Sequence, residues 1–301
     1  ENAARTAGGG VVLRAAQRRI SARMADEIDG LKCLRDGTPA QRIAEVVRYL
    51  GWSPPDTERI ALATGVARDT VADHLQTLQN AGELTTLDGT RQPLSVRFLE
   101  GFERRCTTWL AGYHQRHPDD PGCLRESYLG FLERKSNRTL ARAMLDRLIA
   151  RKAVRALGRY VCLPQFAPAL SAEDERVMEQ VLELLRAAAH QPPALAELVQ
   201  QTGATRQRVE KVTKVAVALG ELVRVDANIV LHAACAQDMR SLLTELYTAS
   251  GPFTVSQLRN ALNTSRKFAV PLAEYLDRIG FTQRSGDTRT IPDAPTGEAN
   301  P

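Results

Sequence analysis

Apolar and polar positions follow two periods along this chain, and the two succeed each other in the same order four times. Spacings of three and four residues mark helices. Val71, Leu75 and Leu78 share one helical face, and Val209, Val212, Val215, Val217 and Leu219 another. Each such helix follows a shorter one across a turn containing Gly, Asn or a charged residue. The stops are of one kind, as at Gly82, Gly220 and Gly280. Two short alternating runs come next and meet at a turn, as at Asp88-Gly89, Asp226-Ala227-Asn228 and Ser285-Gly286-Asp287. One further amphipathic helix lies upstream of each repeat, at 40–50, 103–114, 172–188 and 236–248.

Helix, helix-turn-helix and β-hairpin is the winged-helix order, and a unit of about sixty to seventy residues is near the lower limit for a self-supporting core. The expected fold is therefore mainly α with small β-hairpins (α+β), as four tandem winged-helix domains. They are assigned to 38–100, 101–168, 169–234 and 235–292. Proline marks the joints: Leu163-Pro164-Gln165-Phe166-Ala167-Pro168 separates the second and third, while Ser53-Pro54-Pro55 lies inside the first. Residues 293–301 read as a disordered tail. Leu272, Leu276 and Ile279 are expected on the inner face of the last long helix. Pro271 falls beyond the tolerated first turn, which predicts that Arg266 and Lys267 are partly unwound.

Composition narrows the function classes. The 301 residues are 43% hydrophobic and 25% charged, ordinary for a globular chain. No run approaches the roughly 18 apolar residues of a membrane span. The chain opens on Glu1-Asn2-Ala3, neither a start methionine nor a signal peptide, which reads as a piece of something larger. Five scattered cysteines, Cys33, Cys106, Cys123, Cys162 and Cys235, form no Cys-x-x-Cys pair and suit a reducing cytoplasm. Cys106, His114, His117 and Cys123 have no common zinc spacing, so no metal is expected. Phosphate-loop, nucleophile-elbow and zinc-protease motifs are absent, so no catalytic residues are expected. Asp119-Asp120, between Pro118 and Pro121, reads as a solvated turn.

The net charge of +5 permits an anionic partner, and its distribution is uneven. Residues 101–170 carry +7, through Arg134, Lys135, Arg138, Arg142, Arg147, Arg151, Lys152, Arg155 and Arg159 among others. By charge alone the second repeat is the anion-facing one, or else a solvated helix face. The fourth is neutral, but its bases are placed. Arg266 and Lys267 open a helix, where backbone N–H groups and the helix dipole favour phosphate. Arg284 and Arg289 flank a wing turn in which Gly286 allows a positive φ and close approach. The competing reading pairs these arginines with Glu274, Asp277 and Asp287.

The segment from Asn263 to Ile291, Asn-Thr-Ser-Arg-Lys-Phe-Ala-Val-Pro-Leu-Ala-Glu-Tyr-Leu-Asp-Arg-Ile-Gly and onward through Arg284-Ser-Gly-Asp287, resembles the C-terminal signature of the bacterial selenocysteine-specific elongation factor family, SelB. Thr6-Ala-Gly-Gly-Gly-Val-Val-Leu13 is similar to the end of that family's third β-barrel domain, so residues 1–37 are expected to be a β-barrel remnant and linker. Asn263 replaces the family's Gly and Phe268 its Tyr; the latter loses a hydroxyl and keeps the aromatic body.

The resemblance implies that the last winged helix binds the selenocysteine insertion hairpin in messenger RNA and directs UGA recoding at the ribosome. That overrides the second repeat as the RNA site. Ser265, Arg266 and Lys267 are then expected to grip phosphates. Arg284, Gly286 and Arg289 are expected to read a flipped base, with Arg278 as a secondary candidate. GTP and Mg, and the partnership with selenocysteinyl-tRNA, belong to an N-terminal part outside this sequence, so no cofactor is expected here. A cytoplasmic monomer without membrane contact is implied. The alternatives are a tandem winged-helix DNA-binding regulator, which would place a recognition helix in a major groove, and a protein-interaction scaffold.

Overall fold

The computed structural model describes residues 25–53 and 56–292. The Gly-rich stretch at 8–10, Pro54, Pro55 and the tail at 293–301 lie outside the described residues. The expected barrel remnant also lies outside them, except for its last thirteen residues. Those form a helix, α1 (Ala25–Asp36), and the residues leading to the next one.

Among the described residues the order helix, helix-turn-helix, hairpin recurs four times. The first repeat holds α2 (Pro39–Leu50), α3 (Thr57–Thr64), α4 (Arg68–Asn80), β1 (Leu84–Thr85) and β2 (Leu94–Ser95). The second holds α5 (Val96–Arg116), β3 (Cys123–Leu124), α6 (Arg125–Glu133), α7 (Arg138–Ala150), β4 (Arg155–Leu157) and β5 (Tyr160–Cys162). The third holds α8 (Ala172–Ala187), α9 (Leu195–Thr202), α10 (Arg206–Leu219), β6 (Leu222–Arg224) and β7 (Val230–His232). The fourth holds α11 (Ala233–Ser250), β8 (Phe253–Thr254), α12 (Val255–Ala261), α13 (Arg266–Arg278), β9 (Gln283–Ser285) and β10 (Thr288–Thr290). The whole is mostly helical with small antiparallel sheets.

Two of the expected boundaries fall inside helices. The division at 100/101 cuts α5 and that at 234/235 cuts α11. The reason is local: β2 ends at Ser95 and α5 starts at Val96, while β7 ends at His232 and α11 starts at Ala233. The last wing strand runs straight into the next helix, so no polar linker marks the joint.

The chain divides into two compact units. One runs through residue 113 and adds 124–155; the other holds 114–123 and everything after 155. In the first unit, Leu34 of α1 enters a core with Ile43, Val46, Val47, Ile60, Val71, Leu78 and Leu84. Helix α2 starts sharply because Thr38 and Gln41 cap each other's backbone N–H and Pro39 occupies the first turn.

In the second unit, α8, α9 and α10 bury Val177, Val181, Leu185, Leu198, Val209 and Val212. The wing of that repeat also sends Val225 and Leu231 into the core of the fourth, beside Met239, Phe253, Leu258, Leu272 and Leu276. The wing of the third repeat therefore completes the core of the fourth. Asp119 and Asp120 are more than a solvated turn. Asp119 pairs with Lys211 at 3.1 Å and Asp120 with Lys214 at 2.6 Å, both on α10.

Candidate nucleic-acid interface

The helix-turn-helix of the fourth repeat is built by its caps. Thr254 and Gln257 form a reciprocal capping box that starts α12. The turn to α13 passes through Asn263, whose φ of +46° lies in the left-handed region. Asn tolerates that region better than most residues with a side chain. The replacement of a family glycine at this position thus keeps the backbone geometry. The turn is fastened to the loop after α8: Gln191 Nε2 donates to the Asn263 carbonyl at 3.0 Å, and Thr264 Oγ1 donates to the His190 carbonyl at 2.9 Å.

Helix α13 begins at Arg266, with Pro271 inside it, so Arg266 and Lys267 are helical rather than unwound. The amides of Phe268 and Ala269 donate to the Ser265 carbonyl, which secures the first turn ahead of the proline. Ser265 occupies the N-cap position in extended backbone, yet its hydroxyl makes no capping bond. The result is an exposed cluster: the Ser265 hydroxyl, two forward N–H groups, and the cations of Arg266 and Lys267. Neither cation has an ion pair among the described residues; Lys267 Nζ lies 5.1 Å from the Phe268 ring centroid. Phe268 packs against the core, so the aromatic body does what the missing hydroxyl does not affect. Such a helix start suits a phosphate.

The wing separates the three arginines proposed to read RNA. The sheet order is β8-β10-β9, so β10 is the central strand and β9 the edge. Arg284 stands on the edge strand, exposed, with Nε donating to the Gly286 carbonyl at 3.0 Å. Gly286, at φ +61°, is exposed at the tip, with open space where a Cβ would be.

Arg289 is a correction. It is 3% exposed, and its guanidinium pairs with Asp277 of α13 at 2.8 Å. On the central strand its side chain is enclosed between sheet and helix, so it supports the wing from beneath. Arg278 is likewise committed: its Nη2 donates to the Val225 carbonyl of the third repeat, and its guanidinium lies 5.5 Å from the Tyr275 ring centroid. Ile279 is a smaller correction. It caps α13 and is 42% exposed, while Leu272 and Leu276 are fully buried.

The structure brings Ser265, Arg266 and Lys267 together at one helix start and leaves Arg284 and Gly286 exposed on the wing. The fastening of Asn263 and Thr264 to the third repeat was missed in the sequence, because partners more than seventy residues away carry no local signal.

The second repeat's basic residues are partly spent on structure. Arg147 pairs with Glu103 at 2.8 Å and Arg151 with the same carboxylate at 3.6 Å. The cysteine and histidine cluster is also engaged. Burial pushes the Cys106 thiol up to about 12 and that of Cys123 to about 11. His114 Nε2 accepts from the Leu163 amide, and its ring stacks on Phe166 with centroids 3.6 Å apart. Among the described residues no group of three or more His, Cys, Asp or Glu is arranged to hold a metal. No helix among them is long and apolar enough to cross a membrane.

The fold is that of a winged-helix protein with an exposed basic helix start in its fourth repeat. Residues 108–163 and 245–291 each match a family model described as elongation factor SelB, winged helix. A selenocysteine-specific elongation factor of Desulfomicrobium baculatum is 20% identical over 287 residues, covering 95% of this chain and 45% of its own length. That of Escherichia coli is 22% identical over 202 residues, covering 67% of this chain and 32% of its own. The chain thus spans less than half the length of these relatives. A solved structure of the mRNA-binding domain of elongation factor SelB from E. coli in complex with SECIS RNA is 23% identical. It covers 41% of this chain and all of that one, with a TM-score of 0.37. The chain resembles the C-terminal region of SelB.

Proposed function

We propose that this chain is the messenger-binding C-terminal part of a selenocysteine-specific elongation factor, built as four tandem winged helices. Its fourth repeat grips the selenocysteine insertion hairpin and so directs UGA recoding at the ribosome. The observation that carries the reading is the uncapped start of α13, where Ser265, Arg266 and Lys267 stand exposed within the segment 245–291 that matches the SelB winged helix.

Phosphates of the hairpin backbone sit on the N–H groups and the two cations. The wing, through Arg284 and Gly286, approaches an unstacked base from the other side. Arg289 and Arg278 hold the platform and do not touch RNA. The GTPase chemistry and the selenocysteinyl-tRNA belong to an N-terminal part outside these residues, and the setting is the cytoplasm. The second repeat's exposed bases Arg134, Arg138 and Arg142 serve ribosomal RNA or the tRNA.

The deciding experiment titrates the chain with the selenocysteine insertion hairpin of the organism's own selenoprotein messenger and with an equal-length DNA duplex. Tighter binding to the hairpin is expected. Tighter binding to the duplex would replace this reading with that of a DNA-binding regulator.

A further inference from the structure

An open groove of about 880 Å³ runs along α5 in the first unit. Its walls interleave aromatic rings with cations. Trp52, in the turn just past α2, meets Phe98 and Phe102 of α5 edge-on, with centroids 5.0 and 4.9 Å apart. Further along α5, Trp109 stacks on Phe131 of α6 at 4.6 Å and 15°. Trp52, Phe98, Trp109 and Phe131 are only half-buried, and all four line the groove.

The cations come from the same helix and from the turn after α6. The side chains of Arg97, Arg104 and Lys135 are exposed and make no hydrogen bond or ion pair among the described residues. Arg105 lies over the Phe102 ring at 5.3 Å. Gly101 sits between them on α5. A Cβ there would stand 3.8 Å from the terminal nitrogens of both Arg104 and Arg105, so the guanidinium groups hang over bare backbone. Against these four cations the groove sets Glu100, while Arg48 is held by the buried Glu45 at 2.6 Å.

Half-covered rings and unpaired cations in one groove need a ligand that offers flat faces and negative charge together. A small apolar ligand would leave the cations unanswered. An acidic peptide would leave the rings unanswered, and a duplex keeps its bases stacked inside. Single-stranded nucleic acid supplies both, through base stacking on aromatic side chains and phosphates along a basic track.

We propose that this groove is a second RNA site, which takes a single-stranded RNA segment with its bases against Trp52, Phe98 and Trp109 and its phosphates on Arg97, Arg104, Arg105 and Lys135. It is independent of the hairpin site in the fourth repeat.

The chain's two tryptophans are both in this groove, so their fluorescence reports on it alone. The full chain is titrated with a short oligouridylate, an RNA duplex of equal length and an oligoglutamate. Saturable quenching by the oligouridylate is expected, with weaker response to the other two. The double variant Arg104→Ala with Lys135→Ala removes exposed, unpaired side chains and is expected to keep its circular dichroism spectrum. Its binding should be about 25-fold weaker at 0.1 M salt, with a salt slope shallower by about 1.4, as for two lost single-strand phosphate contacts. Arg266→Ala with Lys267→Ala should leave this quenching unchanged, which separates it from hairpin binding. Absence of quenching, equal response to duplex or oligoglutamate, or an unaltered Arg104→Ala, Lys135→Ala titration would each overturn the proposal.

Discussion

Arg289 and Asp277 form a two-pronged ion pair beneath the wing, with Nε 3.1 Å from one carboxylate oxygen and Nη2 2.8 Å from the other. The carboxylate also accepts from Thr282 Oγ1 at 2.5 Å, so one acid fastens both the end of α13 and the central strand β10. The arginine side chain is 4% exposed and the aspartate 23%. Breaking such a pair from one side leaves a largely buried charge without its partner. Arg289→Ala is expected to cost roughly 3 kcal/mol. Arg284→Ala, on the exposed edge strand, should stay within about 0.5 kcal/mol. Chemical denaturation followed through the fourth repeat reads both. Equal stability of the two variants would contradict the assignment.

These two arginines also show where the sequence stops being legible. Both flank the same wing turn, and nothing in the local pattern ranks them. They are even register partners across β9 and β10. What divides them is β8: Phe253 pairs with Arg289 from more than thirty residues upstream, which makes β10 central and leaves β9 at the edge. Local signals served better. Gly82, Gly220 and Gly280 all take positive φ where they were expected to stop helices. The cations at the start of α13 are where the pattern put them, because a helix start is set by its nearest neighbours. Pro271 misled, since the turn before it is secured by the Ser265 carbonyl.

If Arg266 and Lys267 seat phosphates, their removal should act on binding and not on folding. Both are exposed and neither is paired among the described residues. Arg266→Ala with Lys267→Ala is expected to leave the unfolding midpoint in place. Hairpin binding should weaken, with the slope of log affinity against log salt shallower by about 1.4 to 1.8. A salt titration of variant and parent checks this; parallel slopes would remove these residues from the phosphate role.

Asn263 tests whether the family's glycine is a conformational requirement. At φ +46° a side chain costs most residues about 1–2 kcal/mol, and a β-branched one fits worst. Asn263→Val is therefore expected to destabilise by roughly 2 kcal/mol. Asn263→Gly relieves the strain but loosens the unfolded chain, so its net effect should stay under about 1 kcal/mol. The Gln191 contact uses the backbone carbonyl, which both variants keep. Thermal unfolding of the pair distinguishes conformation from side-chain chemistry: equal losses would point to the amide instead.

Asp174 gives the third repeat an acid-sensitive joint. Its buried carboxylate caps α8 by accepting from the Ser171 amide at 3.3 Å, and it also accepts from the Ser171 hydroxyl at 2.8 Å and from Arg208 and Lys211 of α10, both at 3.1 Å. The Ser171 hydrogen bond first, and Lys211 after it, hold its pKa down at about 2 against burial, which pushes the other way. In the unfolded chain an aspartate titrates near 3.9. A folded-state pKa below the unfolded one means that the contribution is fully present above about pH 4. It is lost as pH falls through about 2. Urea midpoints measured down this range should fall for the parent chain. Asp174→Asn, which does not titrate, should start lower at neutral pH and fall less steeply between pH 4 and 2. Curves that stay parallel across that window would show that other carboxylates carry the acid response.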